Sequence, residues 1–261
     1  MRENLAAHIK PVLSKAGPFL IVAALWEAVT LLHLAEPAFF PSIESILAAL
    51  YELVRERTIF IELGASLVTA GSGLALGIVI GVPLGTAMAL SPHADAFFGP
   101  LIKATYSLPK SALIPLFVLW FGVGGITNIL ATTLTTLLPI VIYTYHGVHG
   151  VPRIFIWSAQ ALGTPRARML PRIILPAALP SILTGIRIAL GFAFIVAIAA
   201  EMIVSNYGIG KLMFLFGDSG AYNYMFAAVV AVVCAAFVAD RILVAISDYI
   251  LRWQEPVDRH A

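Results

Sequence analysis

The run ILTGIRIALGFAFIVAIAAEMIV, residues 182 to 204, carries two charged side chains, Arg187 and Glu201, and is otherwise apolar or small. About 20 such residues in an α-helix cover the roughly 30 Å hydrocarbon layer of a bilayer. A helix apolar on every face belongs in lipid or in a deep interior. Five further runs share this character: Gly17 to Leu34, Ile61 to Leu90, Phe97 to Phe121, Ile126 to Tyr145 and Tyr224 to Leu251. The chain of 261 residues is 60% hydrophobic and 11% charged, with a mean hydropathy of +0.95. That is too apolar for a soluble domain and too weakly charged for a disordered one. Cys234 is the single cysteine, which excludes a disulfide framework. The chain is therefore expected to be an all-α membrane protein with about six transmembrane helices.

Between the first two runs, Pro41 to Arg57 has a different pattern. Ile43, Ile46, Leu47, Leu50 and Leu53 recur at helical spacing opposite Glu44, Glu52, Arg55 and Arg57, which predicts an amphipathic surface helix. Six spans put both termini on one side. With that side cytoplasmic, Arg2, Lys10, Lys15, Lys103, Arg153, Arg166, Arg168, Arg172, Arg252 and Arg259 lie inside, against Arg55, Arg57 and Lys211 outside. This bias predicts cytoplasmic termini. The net charge of +2 then reports orientation in a bilayer, and no nucleic-acid partner is expected. The first run lacks a small-residue cleavage site and should remain as a span. The expected organisation is residues 1 to 60 as tail, first span and external amphipathic helix, 61 to 251 as the membrane core with a cytoplasmic loop at 150 to 176, and 252 to 261 as a cytoplasmic tail.

Gly73, Gly77, Gly81 and Gly85 repeat every fourth residue of the second span, and Gly185, Ala189, Ala193 and Ala197 do so in the fifth. Small residues at this spacing let a neighbouring membrane helix approach closely, so both ladders are expected to serve packing. Pro83, Pro109, Pro115 and Pro139 interrupt spans, and each frees a carbonyl that needs another partner.

The loop before the fifth span contains Trp157-Ser158-Ala159-Gln160-Ala161-Leu162-Gly163-Thr164-Pro165-Arg166. Its local grammar is helix, stop, helix. Gly163 suits a left-handed C-terminal cap, Thr164 an N-cap and Pro165 the first position of a second helix running to Arg172. That helix is expected to end over Pro171 to Pro176. A pair of short helices folded at a glycine, the second of them basic, suits docking by a soluble partner; the alternative is a basic loop held to anionic headgroups.

Gly163 followed after nine residues by Ile173-Ile174-Leu175-Pro176 resembles the loop motif of permeases in binding-protein-dependent ABC importers. The likeness continues through Ala177 to Arg187, Ala199-Ala200-Glu201-Met202 and Gly208-Ile209-Gly210. Upstream, Ser107-Leu108-Pro109-Lys110 and Leu119-Trp120-Phe121-Gly122-Val123-Gly124 resemble the nitrate, sulfonate, taurine and bicarbonate branch. The resemblance covers the chain from about Glu62 onward and implies the ABC type-1 transmembrane fold. It implies a homodimer of permeases in a bacterial inner membrane, two cytoplasmic ATP-binding subunits and an external solute-binding protein. Ser158, Ala159, Gly163, Thr164, Pro165, Arg166, Ile173, Leu175 and Pro176 would couple to the ATPase. Such a complex is expected to carry a small, anionic solute by alternating access. Two departures stand out: Trp157-Ser158-Ala159 replaces the usual Glu-Ala-Ala opening, and Gly125-Ile126-Thr127-Asn128 lacks the usual charge pair.

No Gly-x4-Gly-Lys-Ser/Thr sequence occurs, so ATP and Mg belong to the partner subunit and this chain is not itself expected to be an enzyme. Neither a Gly-x-Ser-x-Gly nor a His-Glu-x-x-His motif is present, against a hydrolase. His146 and His149 lack a third ligand, so no metal is expected. Lys110, Arg187 and Glu201 are charges within spans, where such residues usually face a bundle interior or a wet cavity. They are candidates for the translocation path or its outer gate. Lys110 falls about 20 Å along the third span, and Arg187 and Glu201 lie about 21 Å apart within roughly 40° of one face. Asp240, Arg241 and Asp248 are expected near the interface. The competing class, an ion-coupled secondary transporter, would require internal repeats, and none is visible.

Overall fold

The computed structural model describes residues 17, 18, 20–34, 36, 38–106 and 108–253. Arg2, Lys10, Lys15, Ser107 and Arg259 lie outside these. All regular structure among the described residues is helical. In chain order the helices are α1 (Leu20–Leu31), α2 (Ile43–Arg55), α3 (Thr58–Leu90), α4 (Pro92–Tyr106), α5 (Ile114–Phe121), α6 (Gly125–His149), α7 (Arg153–Ala161), α8 (Arg166–Met169), α9 (Leu175–Val204), α10 (Ile209–Asp218) and α11 (Tyr222–Ile250). Among the described residues, four continuous stretches are long and apolar enough to cross a membrane: α3, α6, Arg166–Val204 and α11. Leu20–Leu31 and Lys110–Phe121 are shorter apolar helices. Apolar helix thus lies within each of the six expected spans.

Two expected elements are corrected. Phe97 to Phe121 is not one helix: α4 ends at Tyr106, and a 3₁₀ turn at Lys110–Leu113 leads into α5. Pro109 is extended, with ψ 100°. It has no N–H to continue α4 and disfavours helical geometry in the residue before it. The helix beginning at Arg166 does not stop at Pro171 to Pro176. It passes through a π-helical turn, Leu170–Ile174, straight into α9. The wider turn lets Leu175 N–H bond to Leu170 O, which accommodates two prolines that cannot donate to an ordinary α-ladder.

The described residues form two compact units, those up to 60 with 212–231 and those of 61–211 with 232–253. In the first, α2 is capped by Ser42 Oγ, which accepts from Ser45 N–H at 3.3 Å. It buries Ile46 and Leu53 of the apolar stripe expected from the sequence, together with Ala49, while Leu47 on that stripe is exposed. Trp26 anchors the unit. Its ring stacks on Phe40 with centroids 3.9 Å apart, meets Phe226 edge-on at 5.4 Å, and its Nε1–H donates to Pro41 O at 3.0 Å. The Tyr224 hydroxyl donates to the Glu52 carboxylate.

The second unit is built on close helix approach. A Cβ added at Gly73 would lie 2.5 Å from Thr132 Cγ2, one at Gly81 would lie 2.9 Å from Ile140 Cγ2, and one at Gly85 would lie 2.6 Å from Val141 O. The glycine ladder of α3 thus faces a threonine-bearing face of α6. Thr136 Oγ1 also lies 3.1 Å from Gly73 O, a bond from side chain to neighbouring backbone. On α9, Ala189, Ala193, Ala197 and Ala200 are fully enclosed, and Ser181 Oγ donates to Tyr143 O of α6 at 2.7 Å.

At the Val204 end of α9 the chain turns back over Glu201, which has no exposed surface. Its Oε2 accepts from Ser66 Oγ at 2.6 Å and from Gly210 N–H at 3.1 Å. The Ser66 hydroxyl in turn accepts from Ile209 N–H at 2.8 Å, and Glu62 accepts from Gly208 N–H at 2.6 Å. Gly208 has φ +98°, and any Cβ there would strike the Glu201 carboxyl group. Carboxylates from α3 and α9 thus satisfy three consecutive backbone N–H groups, one of them through the serine.

Two stability predictions follow from this packing. Gly85→Ala should destabilise the folded protein by about 1–3 kcal/mol through overpacking. Gly71→Ala, in the same helix with nothing within 4 Å, should be neutral or slightly stabilising; equal effects in detergent unfolding would refute close packing at the ladder. Ser66→Ala should cost about 1–3 kcal/mol by leaving Ile209 N–H unpartnered, and an unchanged unfolding midpoint would show that water replaces the hydroxyl.

Candidate functional site

The loop expected to couple the chain to a partner is a helix–turn–helix in which the turn is set by hydrogen bonds. Gly163 has φ +78°. Its N–H donates to Gln160 O and the Thr164 N–H to Ala159 O, both at 2.9 Å. These are the two reversed bonds of a Schellman cap. Gly163 therefore terminates α7 as expected. The N-cap of α8 falls on Pro165, one residue later than expected, and no side chain caps this helix.

The apolar side chains of this turn point outward. Leu162 is 86% exposed, Trp157 59%, Ile154 58% and Phe155 51%, whereas Ala159, Met169 and Ile174 are buried in the core shared with α6 and α9. Beside the turn is a groove of about 370 Å³ lined by Phe155, Ser158, Leu162, Arg172, Ile173 and Trp253. Arg166 and Pro165 are exposed, and Leu175 and Pro176 are half-buried at the start of α9. The loop is thus held rigidly on its inner side and offers an unpaired apolar surface on the other.

The three charges expected along a path are not gathered into one cluster; each has its own partners. Glu201 is enclosed by Ser66 and the Gly208–Gly210 turn. Lys110 caps the end of α4: its Nζ donates to Tyr106 O at 2.6 Å and lies 5.1 Å from the Tyr106 ring centroid. A cation at a helix C-terminus complements the partial negative charge of the last carbonyls. Arg187 opens outward from α9, with half of its side chain exposed, and grips Asp240 of α11. Nε and Nη2 reach the two carboxylate oxygens at 2.6 and 2.9 Å. Arg241 Nη2 lies 3.1 Å from the same carboxylate. Asp240 is about 15 Å inside the Ile250 end of α11, and Arg187 about 18 Å inside the Leu175 end of α9. Insertion scales set the cost of such a charge at the bilayer centre near 2.5 to 3.5 kcal/mol.

Sequence reasoning missed the partners more than the charges. Ser66 and Glu62, four residues apart on α3, lie one turn apart on one helical face, a signal that polar groups there share a target. Asp240 would have been found by matching the lone arginine of one span to an acid at similar depth in another. Among the described residues no group of three His, Cys, Asp or Glu side chains could hold a metal ion.

Comparison with known proteins places this geometry. The family model for the binding-protein-dependent transport system inner membrane component matches residues 73–252. The chain is 32% identical over 246 residues to the taurine transport system permease protein TauC of Escherichia coli, covering 92% of this chain and 90% of that protein. It is 27% identical to the putative aliphatic sulfonates transport permease protein SsuC of Bacillus subtilis, covering 90% and 85%. It is 32% identical to the formylaminopyrimidine transport permease protein ThiX of Halalkalibacterium halodurans, covering 80% and 84%. In structure it is similar to a chain of the MetNI methionine ABC transporter in an inward-facing conformation, with a TM-score of 0.63 at 19% identity over 72% of this chain and 94% of that one. That likeness confirms the ABC type-1 transmembrane fold. The chain belongs to the family of binding-protein-dependent transport system inner membrane components, the permease subunits of ABC importers.

Proposed function

We propose that two copies of this chain form the transmembrane path of an ATP-driven importer for a small solute that carries a sulfonate or similar oxyanion group, as aliphatic sulfonates and taurine do. The termini and the Arg153–Arg172 loop face the cytoplasm, in a bacterial inner membrane. ATP and Mg are handled by two separate cytoplasmic subunits, and an external binding protein delivers the solute. The observation that carries the proposal is the outward apolar surface of the α7–α8 turn on a base fixed by core packing. Exposed Leu162, Trp157 and Phe155 are unfavourable in water and suit a partner's groove. Trp157, standing where the family motif has an acid, makes this contact one of apolar burial and not of ion pairing. The relatives named for taurine and aliphatic sulfonates support the solute class. When the ATPases close, α7 and α8 move with them, and the spans turn between inward-open and outward-open states.

Purification of the tagged chain from its native membrane in mild detergent should recover an ATP-binding subunit in equal amount. Leu162→Asp should abolish that recovery while leaving membrane insertion intact, since a carboxylate cannot enter an apolar groove unpaired. Gly163→Pro should leave insertion intact and uncouple ATP hydrolysis from uptake, because proline cannot adopt φ +78° and lacks the N–H that closes the cap. Gly163→Asn, which tolerates the left-handed region, should retain most coupling. A chain recovered alone and folded, or normal uptake with Gly163→Pro, would overturn the docking role.

A further inference from the structure

The outward face of α9 carries Thr184, Arg187, Ile188, Gly191, Phe192 and Ile195, all exposed, while the opposite face is buried in the core. Arg187 and Arg241 share the single carboxylate of Asp240, so two cations face one anion and the group retains one positive charge. The pairing is open to exchange. Arg187 uses one edge of its guanidinium for Asp240 and leaves the other without a protein partner, and over half of each arginine side chain is exposed. Arg241 also lies against the Phe237 ring, 5.7 Å from its centroid, which keeps its head near the carboxylate. Within a bilayer, hydrocarbon is a poor environment for a net charge, so such a face calls for water, a counter-anion or a protein neighbour. An Arg–carboxylate fork with two parallel bonds has the geometry in which a guanidinium also takes a sulfonate or another planar or tripodal oxyanion.

We infer that Arg187, Arg241 and Asp240 form an anion-binding station at mid-membrane on the water-filled solute path, in which Asp240 holds the arginine fork until a small monovalent oxyanion displaces it. This rests on the permease function proposed above and adds the residues that would make its path selective for anions. Asp240 keeps the charge of the empty site low, and the second arginine keeps it attractive.

Thiol chemistry in the assembled membrane complex tests the station without knowledge of the solute. In a Cys234→Ala background, Gly191→Cys places a single thiol one turn from Arg187 at a position with nothing within 4 Å. The probes are 2-sulfonatoethyl methanethiosulfonate, an anion, and its trimethylammonium counterpart, a cation. Both should label the thiol, and relative to a free thiol the anionic reagent should be favoured about tenfold. Arg187→Gln or Arg241→Gln should remove that preference, Arg187→Lys should retain it, and Asp240→Asn should increase it. Thr184→Cys, one turn on the other side, repeats the test if Gly191→Cys does not assemble. A thiol that labels only after unfolding in SDS, or that cross-links between two copies, would overturn the station by placing the face in lipid or in a subunit contact. Equal labelling by the two reagents would overturn the anion preference. The outcome is separable from the importer architecture: a chain recovered without an ATP-binding subunit but with anionic preference intact would refute the importer and leave the station standing.

Discussion

Lipid offers no hydrophobic force to press one apolar helix against another, so helices in a bilayer must be held by contact distance and hydrogen bonding. The meeting of the α3 glycine ladder with Thr132, Thr136, Ile140 and Thr144 of α6 meets this requirement. Each missing side chain on α3 is filled by a branched side chain on α6, and Thr136 reaches the Gly73 carbonyl as well. Ser66 and Glu62 precede the ladder on α3 by two to three turns. They can meet the Gly208–Gly210 turn only because α3 is already held this close. The Glu201 network therefore depends on the ladder, and the fold of the turn after α9 depends on the network.

The two charges of α9 illustrate how one helix serves two environments. Glu201 and Arg187 lie within roughly 40° on an ideal helical wheel, yet one is sealed and the other is open. The difference comes from the chain beyond Val204, which folds back over Glu201 and brings its own backbone donors. No such segment covers Arg187, whose partners come from α11. A carboxylate held through one oxygen by an O–H and an N–H donor is a structural clasp, whereas a guanidinium with an unoccupied edge can still accept a ligand.

Much of this was legible in the sequence because its physics is local. Apolar length marks the spans, four-residue glycine spacing marks the close contacts, and Gly163 before Thr164-Pro165 marks the turn between α7 and α8. The break at Pro109 and the passage through Pro171 and Pro176 were harder to read, since a proline states only which hydrogen bond is missing. At Pro109 the chain leaves the helix; at Pro171 the helix widens into a π turn and continues. The choice is made by packing, for Met169 and Ile174 are both buried in the core that the continuous helix crosses. The pairing of Arg187 with Asp240, separated by 53 residues in sequence, depends on which helices are neighbours, and periodicity within a single helix carries no such information.

The unbroken run from Arg166 to Val204 has a mechanical meaning. At about 1.5 Å per residue, Arg166 lies some 50 Å from Glu201 along one rod. Glu201 is clasped to α3, and Met169 and Ile174 near the other end pack into the core shared with α6, so the far end moves only together with its packing partners. A tilt of about 5° about the clasp carries the Arg166 end through roughly 4 Å. It carries Arg187, less than halfway out along the rod, through under 2 Å, enough to lengthen a 2.6 Å ion-pair contact beyond bonding range. The rod is a lever with its fulcrum at a buried carboxylate, and its regular ladder is interrupted at the π turn between Leu170 and Ile174 and again at Pro180.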